Sequence, residues 1–265
     1  MCLKRLKKIA KLYKILVFSR FQYFKADTIM ELISEVIFSI GNILFWYCIT
    51  DMGYELAGWS LNQIFVFVAY SELFFSLSSS ILGVCSRFWN VIYSGNLDIF
   101  LTRPIDCRLR FVVLNMKLST LINGIIKFAV LLMIANYSIV SLPNFLLSIL
   151  IIAIAAINLG VIYFIFSYAS FWIGKMDPIN EVADSLTIFN KYPLVVLSKI
   201  AKVVFTYILP FYFFSTFPAE VVLEKISLKN GIYGCTTLCI TLGIWMLINN
   251  LIWRKGLERY EGING

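Results

Sequence analysis

The sequence predicts an all-α integral membrane protein with six transmembrane helices. Of its 265 residues, 60% are hydrophobic and only 14% are charged, whereas a soluble domain has roughly 45–50% apolar and about 25% charged residues. The apolar residues also fall into blocks of about 20, the length that a helix needs to cross a hydrocarbon core of about 30 Å. Lysine and arginine flank these blocks. We therefore expect residues 1–265 to form a single transmembrane domain.

Residues 1–26 have the pattern of a basic amphipathic helix. Apolar side chains recur at helical spacing on one side, at Leu3, Leu6, Ala10, Tyr13 and Val17. Lysines fall on the other side, at Lys4, Lys7, Lys8, Lys11 and Lys14. Such a helix suits the cytoplasmic membrane interface, where anionic headgroups attract it. A helix that binds a calmodulin-like partner is the alternative.

Six apolar blocks are the predicted spans, and they lie at residues 28–50, 59–84, 111–135, 144–173, 203–223 and 232–253. Pro210 and Pro218 interrupt the fifth block, which predicts a kink or a break there. The stretch 174–202 carries too many charges to span, so we expect it at the cytoplasmic interface. Between 174 and 223 a second arrangement stays open, in which a span is followed by a re-entrant pair of short helices broken at Tyr192–Pro193.

The distribution of Lys and Arg predicts the orientation. Of the 23 basic residues, eight precede Thr28, five lie within 87–117, four lie within 175–202 and three are in the C-terminal tail. The predicted outer loops hold only Lys225 and Lys229. By the positive-inside rule both termini are cytoplasmic. The net charge of +8 therefore indicates membrane topology rather than nucleic-acid binding, and we expect a multi-pass protein of the plasma (cytoplasmic) membrane.

Two ionisable residues lie near the middle of predicted spans, Glu72 in the second block and Lys127 in the third. Each would cost about 2.5–3.5 kcal/mol at the bilayer centre on insertion scales, so such residues usually face protein or a cavity. We expect the two to pair, either as a structural contact or as part of the substrate path. Glu31 and Glu35 are shallower, because they lie near the cytoplasmic end of the first block and can reach the interface.

The sequence carries no pattern typical of an enzyme. It has no histidine, which removes the commonest general base and zinc ligand. It also lacks the phosphate-binding G-x-x-x-x-G-K-[ST] pattern and the G-x-S-x-G and H-E-x-x-H patterns. Cys235 and Cys239 share a helix face, but they are better explained as packing residues. We therefore predict no catalytic, cofactor or metal site. Any energy for transport would come from an ion gradient or from another chain.

The most specific pattern is the loop at residues 92–104, which reads IYSGNLDIFLTRP and has the form G-x-L-x-x-x-L-x-[RK]-P. This loop resembles that of the permease subunits of ABC-2 type exporters, in particular a subgroup with six spans and about the length of this chain. Other features agree with the resemblance, namely the basic N-terminal helix, the S-F-W ending at Trp172, Tyr192–Pro193 and the run from Ile208 to Ala219.

The resemblance implies that residues 92–104 are a cytoplasmic coupling helix that docks into a groove on a separate ATP-binding subunit. The residues that would do this are Gly95, Leu97, Asp98, Phe100, Leu101, Arg103 and Pro104. An apolar face of Leu97, Phe100 and Leu101 would enter the groove. Glycine would let the chain turn into this helix and proline would stop it. An ordinary connecting loop lying on lipid is the alternative.

The resemblance also implies an assembly. Two permease chains, the same or homologous, would form the translocation path in the lipid, above a dimer of ATP-binding cassette subunits that binds ATP and Mg. A gradient-driven secondary transporter is the main alternative, but it predicts internal repeats that we do not find. A membrane enzyme acting on lipid and a non-transporting assembly subunit are the other readings, and the cargo is not indicated by these residues.

Overall fold

A computed structural model describes residues 25–51, 58–82, 84–102, 106–138, 141–176 and 210–260, together with residues 178, 181 and 185. All regular structure within these ranges is helical, which confirms the predicted all-α class. The predicted interfacial helix 1–26 lies almost entirely outside the described residues, as do most of the stretch 174–202 and residues 203–209.

The described part of the chain contains ten α-helices. In chain order they are α1 Lys25–Asp51, α2 Leu61–Leu77, α3 Phe88–Tyr93, α4 Leu97–Leu101, α5 Cys107–Asn115, α6 Leu118–Ile134, α7 Leu142–Tyr168, α8 Ser170–Ile173, α9 Thr216–Val222 and α10 Leu228–Arg259. A π-helical turn, Ser78–Leu82, extends α2. Several helices begin at a residue that can cap them. Ser60 forms a capping box with Gln63 at α2, and the Ser227 hydroxyl accepts the Asn230 N–H at α10.

Four helical segments are long and apolar enough to cross a membrane, namely Ile33–Asp51, Leu61–Tyr93, Leu142–Ile173 and Leu228–Arg259. They correspond to the predicted blocks 28–50, 59–84, 144–173 and 232–253. The bent pair formed by α5 and α6 would make a fifth. The described residues therefore account for four or five of the six expected spans.

The third predicted block, 111–135, is not one straight helix. It is divided between α5 and α6, whose axes differ by 68°. The break lies at Met116 and Lys117, which have extended backbone angles. The N–H of Lys117 donates to the carbonyl of Ser80, 2.9 Å away in the turn that follows α2. A hydrogen bond to a neighbouring helix thus replaces one within the helix, and hydropathy alone does not reveal such a bond.

The described half of the fifth block consists of short helices rather than a continuous span. A 3₁₀ turn, Phe211–Phe213, is followed by α9. The sequence suggested that Pro218 interrupts this block, but Pro218 is the third residue of α9. Its missing N–H costs little there, because the first N–H groups of a helix have no intrahelical partner. Phe214 stacks on Phe74 of α2 at 4.1 Å between ring centroids, so this segment packs inside the protein.

The core is centred on α2 and α7, which are flanked by α6 and α10. Almost every side chain of α2 from Ile64 to Phe74 is buried. Small residues allow the closest helix contact, since a Cβ placed on Gly124 of α6 would lie 2.2 Å from the Cβ of Ser76. In contrast, α1 exposes most of its apolar side chains. Its exposed surface is suited to lipid or to another chain.

Candidate functional site

The loop between α3 and α4 has the turn that the sequence predicts. Gly95 has a φ of +71°, a conformation that glycine adopts without steric cost. Its N–H donates to the carbonyl of Ile92 at 3.2 Å, and α4 begins two residues later. The chain therefore leaves the second span, turns at Gly95 and forms a separate helix of five residues.

The side chains of α4 divide between the protein core and its surface. Leu97 is completely buried within this chain. Phe100 is half-buried, packs against Phe111 at 5.9 Å between centroids and lies beneath the guanidinium of Arg110. Ile99 and Leu101 are exposed. The expected contact face of Leu97, Phe100 and Leu101 therefore needs correction, because helix rotation turns Leu97 inward and places Ile99 outside.

The C-terminal end of α4 is held by a residue that the sequence did not single out. Arg110 of α5 donates from Nη1 to the carbonyl of Ile99 at 2.9 Å. The Thr102 hydroxyl donates to the same carbonyl at 3.3 Å. A cation at a helix C-terminus satisfies an unpaired carbonyl and interacts favourably with the helix dipole. Arg103 and Pro104, which the sequence assigned to this segment, lie outside the described residues.

Glu72 and Lys127 lie together, at a distance of 3.6 Å between Oε2 and Nζ. Lys127 is also 3.4 Å from Oε2 of Glu35, so one ammonium lies between two carboxylates from different helices. We call Glu35, Glu72 and Lys127 the charge cluster. All three side chains are largely buried, with 19%, 7% and 11% of their surface exposed. The sequence placed Glu35 at the interface, whereas the structure turns it toward α6.

Neutral polar side chains complete the charge cluster. Asn123 donates to Glu35. Ser39 and Asn42 donate to Glu72 at 3.3 and 3.2 Å. In apolar surroundings, carboxylates are tolerated when paired and hydrogen-bonded, which these contacts achieve. The arrangement can join α1, α2 and α6, and it can also present charge to a polar cargo or ion.

Comparison with known protein families identifies the family of the chain. A family model described as ABC-2 family transporter protein matches residues 36–263, which is most of the chain. The chain belongs to the ABC-2 transporter family. The resemblance inferred from the 92–104 loop is thereby confirmed, and the chain is an ABC transporter permease of the membrane. Membership implies, in general, ATP-binding cassette partner subunits. Comparison with curated proteins finds no match.

In this ABC-2 permease, Arg108 joins the segment after α4 to the last helix. Its Nη1 donates to the side-chain oxygens of Asn249 and Asn250, both at 2.9 Å. Its Nη2 lies 2.8 Å from Oδ2 of Asp106, the N-cap residue of α5. The hydrogen bonds from Arg108 are the main cause that lowers the pKa of Asp106 below its usual value. The sequence counted Arg108 only as a cytoplasmic charge.

Tyr260 is a second residue of the permease whose contact the sequence did not reveal. It follows α10, and its hydroxyl donates to the carbonyl of Gly95 at 2.7 Å, across 165 positions of the chain. Burial and the nearby charge of Asp98 raise the pKa of Tyr260 above its usual value, and its phenol is a hydrogen-bond donor at neutral pH. An aromatic residue shortly after the last span was the only signal available, and such residues are common there.

Proposed function

We propose that this chain is the transmembrane permease subunit of an ATP-driven ABC exporter. It forms the translocation path with a second permease chain, the same or homologous, and couples to a dimer of separate ATP-binding subunits. ATP and Mg bind to those subunits, and the permease itself does no chemistry. Both termini face the cytoplasm of a cell whose plasma membrane holds the complex. The export direction follows from the resemblance of the 92–104 loop.

The observation that carries this proposal is the outward face of α4. Ile99 and Leu101 expose apolar side chains at the end of a five-residue helix, and Asp98 lies exposed beside them. A short helix with apolar anchors and a charged rim is suited to a groove on another protein. The inner face of the same helix is held by Leu97 and Arg110. A push on the outer face would therefore be transmitted into the permease.

The exposed surface of α1 is the observation that supports the proposed second permease chain. Large apolar side chains project around this helix along its length, including Ile33, Ile37, Phe38, Leu44 and Phe45. Lipid can cover such a surface, but a path between two permeases also requires an apolar helix face at their boundary. We place the boundary at α1 because this helix contributes Glu35 to the charge cluster.

The experiment is co-purification of the tagged chain from the membranes of its own cells. We expect an ATP-binding subunit to accompany the native chain and to be lost from a variant with Ile99→Asp and Leu101→Asp. Both side chains are exposed, so the variant should still fold. Leu228→Asp is the matched control. That leucine is exposed at the first position of α10, where a negative charge is favourable to a helix.

Two outcomes would contradict the proposal. If no ATP-binding subunit accompanies the native chain in several mild detergents, the ATP-driven exporter is wrong. If the subunit remains bound to the double variant, the permease does bind an ATP-binding subunit, but it does not bind it through α4. Loss of the subunit from the Leu228→Asp control as well would mean that the added charge, rather than the α4 face, disrupts the complex.

A gradient-driven secondary transporter is the second candidate, and the charge cluster favours it. Ionisable residues within a membrane commonly mark ion or proton paths. Vesicles that contain the chain without ATP-binding subunits separate the two candidates. The exporter predicts no movement of protons or cations down a gradient. Ion flux that disappears in Glu72→Gln would support the secondary transporter instead.

A further inference from the structure

The last helix of the permease connects the segment around α4 to the short helices at 211–222. α10 has 32 residues, which at 1.5 Å per residue is a length of about 48 Å, more than the hydrocarbon core of about 30 Å. It contains no proline, the residue that most often kinks a helix. One helix of this kind can move as a unit and therefore join events at its two ends.

At its C-terminal end, α10 contacts the turn before α4, the following helix α5, and α8. The hydroxyl of Tyr260 donates to the carbonyl of Gly95, the residue at which the chain turns into α4. Arg108 donates to Asn249 and Asn250, which lie about two and a half turns before the end of the helix. Gly256 lies so close to α8 that a Cβ on it would be 2.2 Å from the ring of Phe171.

At its N-terminal end, α10 touches α9 through two of its glycines. A Cβ on Gly234 would lie 2.1 Å from the ring of Phe217, and one on Gly231 would be 3.4 Å from a methyl group of Val221. These glycines let the aromatic ring of Phe217 and the side chain of Val221 lie directly against the backbone of α10. α9 is itself buried between α7 and α2, together with the aromatic turn before it.

We propose that Tyr260 is a positioning residue that joins α4 to α10, so that movement of α4 reaches the short helices 211–222 through α10. This inference rests on the proposed function, because a partner must move α4. The hydroxyl of Tyr260 holds the turn at Gly95 to the end of α10. The close contact of Gly234 with Phe217 passes the displacement to α9. The short helices thereby respond to the nucleotide state of the partner subunits.

The test uses the full chain in lipid vesicles with its ATP-binding subunits. A fluorophore that is sensitive to its surroundings is placed on Leu223→Cys, directly after α9, where the native side chain is half-buried. Cys2, Cys48 and Cys239 are first replaced by alanine. The remaining cysteines, Cys85, Cys107 and Cys235, are buried and should not be labelled. The probe signal is recorded while a non-hydrolysable ATP analogue is added.

We expect the analogue to change the probe signal in the native chain. Tyr260→Phe should reduce the amplitude by about two- to tenfold, the change in an equilibrium constant expected for the loss of one hydrogen bond. The amount of ATP-binding subunit that co-purifies with this variant should stay the same, whereas a misfolded variant would lose it. Phe217→Leu, on α9 where it meets Gly234 near the N-terminal end of α10, should reduce the amplitude in the same way. Tyr233→Phe is the control, because it removes a hydroxyl from an exposed side chain of the same helix.

The inference is overturned if Tyr260→Phe keeps the full amplitude, or if the native chain binds its ATP-binding subunits and the probe does not respond. It is also overturned if Tyr233→Phe reduces the amplitude equally. Failure of the proposed function is recorded separately, because co-purification of the subunits with the native chain is measured before any probe signal. If that step fails, the exporter is rejected together with this inference.

Discussion

The ammonium of Lys127 lies 3.4 Å from a carboxylate oxygen of Glu35, which belongs to a helix 92 positions earlier in the chain. The same ammonium lies 3.6 Å from Glu72. One positive charge thus pairs with two carboxylates. The same carboxylates also accept hydrogen bonds, from Asn123 at Glu35 and from Ser39 and Asn42 at Glu72. The cluster holds α1 against α2 and α6, although α1 buries few of its apolar side chains there.

Removal of the shared cation should destabilise the permease more than removal of either acid. Lys127→Met leaves two buried carboxylates without a counter-charge, and breaking a buried ion pair in this way costs about 3–5 kcal/mol. Glu35→Gln leaves the pair of Glu72 and Lys127 and should cost less than half as much. The melting temperature of the purified chain in detergent measures both. Lys255→Met is the control, since Lys255 is exposed on α10. Equal effects of Lys127→Met and Glu35→Gln would contradict the shared-cation arrangement.

The close contact of α2 and α6 should not tolerate a larger residue at Gly124. A Cβ there would lie 2.2 Å from the Cβ and 2.4 Å from the Oγ of Ser76, so Gly124→Ala should force the helices apart at a cost of about 1–3 kcal/mol. Adding Ser76→Gly to Gly124→Ala should restore much of the lost stability, measured as melting temperature.

Gly243→Ala is the matched control for Gly124→Ala, because no atom lies within 4 Å of its added Cβ. It should stabilise α10 by up to about 1 kcal/mol, since alanine favours helices more than glycine does. If Gly124→Ala and Gly243→Ala behave alike, the packing of α2 on α6 is not as close as the structure shows.

Arg108 should not be replaceable by lysine. Its guanidinium reaches Asn249 and Asn250 while it also contacts Asp106, and an ammonium cannot form this planar fork. We expect Arg108→Lys to destabilise the chain by about 1–3 kcal/mol. Protease sensitivity of the 95–110 region and the melting temperature report the loss. Arg254→Lys, at an exposed position on the same side of the protein, is the control. A stable Arg108→Lys variant would show that the hydrogen bonds of the Arg108 guanidinium contribute little to the stability of the chain.

The two ends of α10 should lie on opposite sides of the membrane. We expect a membrane-impermeant maleimide to label Asn230→Cys in intact cells and Glu258→Cys only after the membrane is permeabilised. Both native side chains are exposed, near the two ends of the helix. The experiment requires replacement of Cys2, Cys48 and Cys239 by alanine, and a cell without the introduced cysteine is the control. Labelling of both positions from the same side would contradict a spanning α10, and the reverse pattern would contradict cytoplasmic termini.

The turn at Gly95 could be predicted from the sequence, whereas the side chains that α4 exposes could not. The glycine is followed by a short apolar helix in a known family pattern, so its left-handed turn was expected. The spacing of Leu97 and Leu101 suggested one common face. In a helix of five residues, however, a small rotation decides which side chains face the core, and in this structure Leu97 is buried while Phe100 packs on Phe111.

The sequence by itself determined that this is a helical membrane protein, and that the 92–104 loop belongs to an ABC-2 permease. Hydropathy, block length and motif are properties of neighbouring residues, so they are readable without the fold. Only the tertiary structure decided that Glu35 and Glu72 pair with the same lysine, Lys127, and that the third block bends at Met116. It alone also showed the hydrogen bond from Tyr260 to Gly95. Each of these depends on how distant helices rotate and pack, which local patterns do not specify.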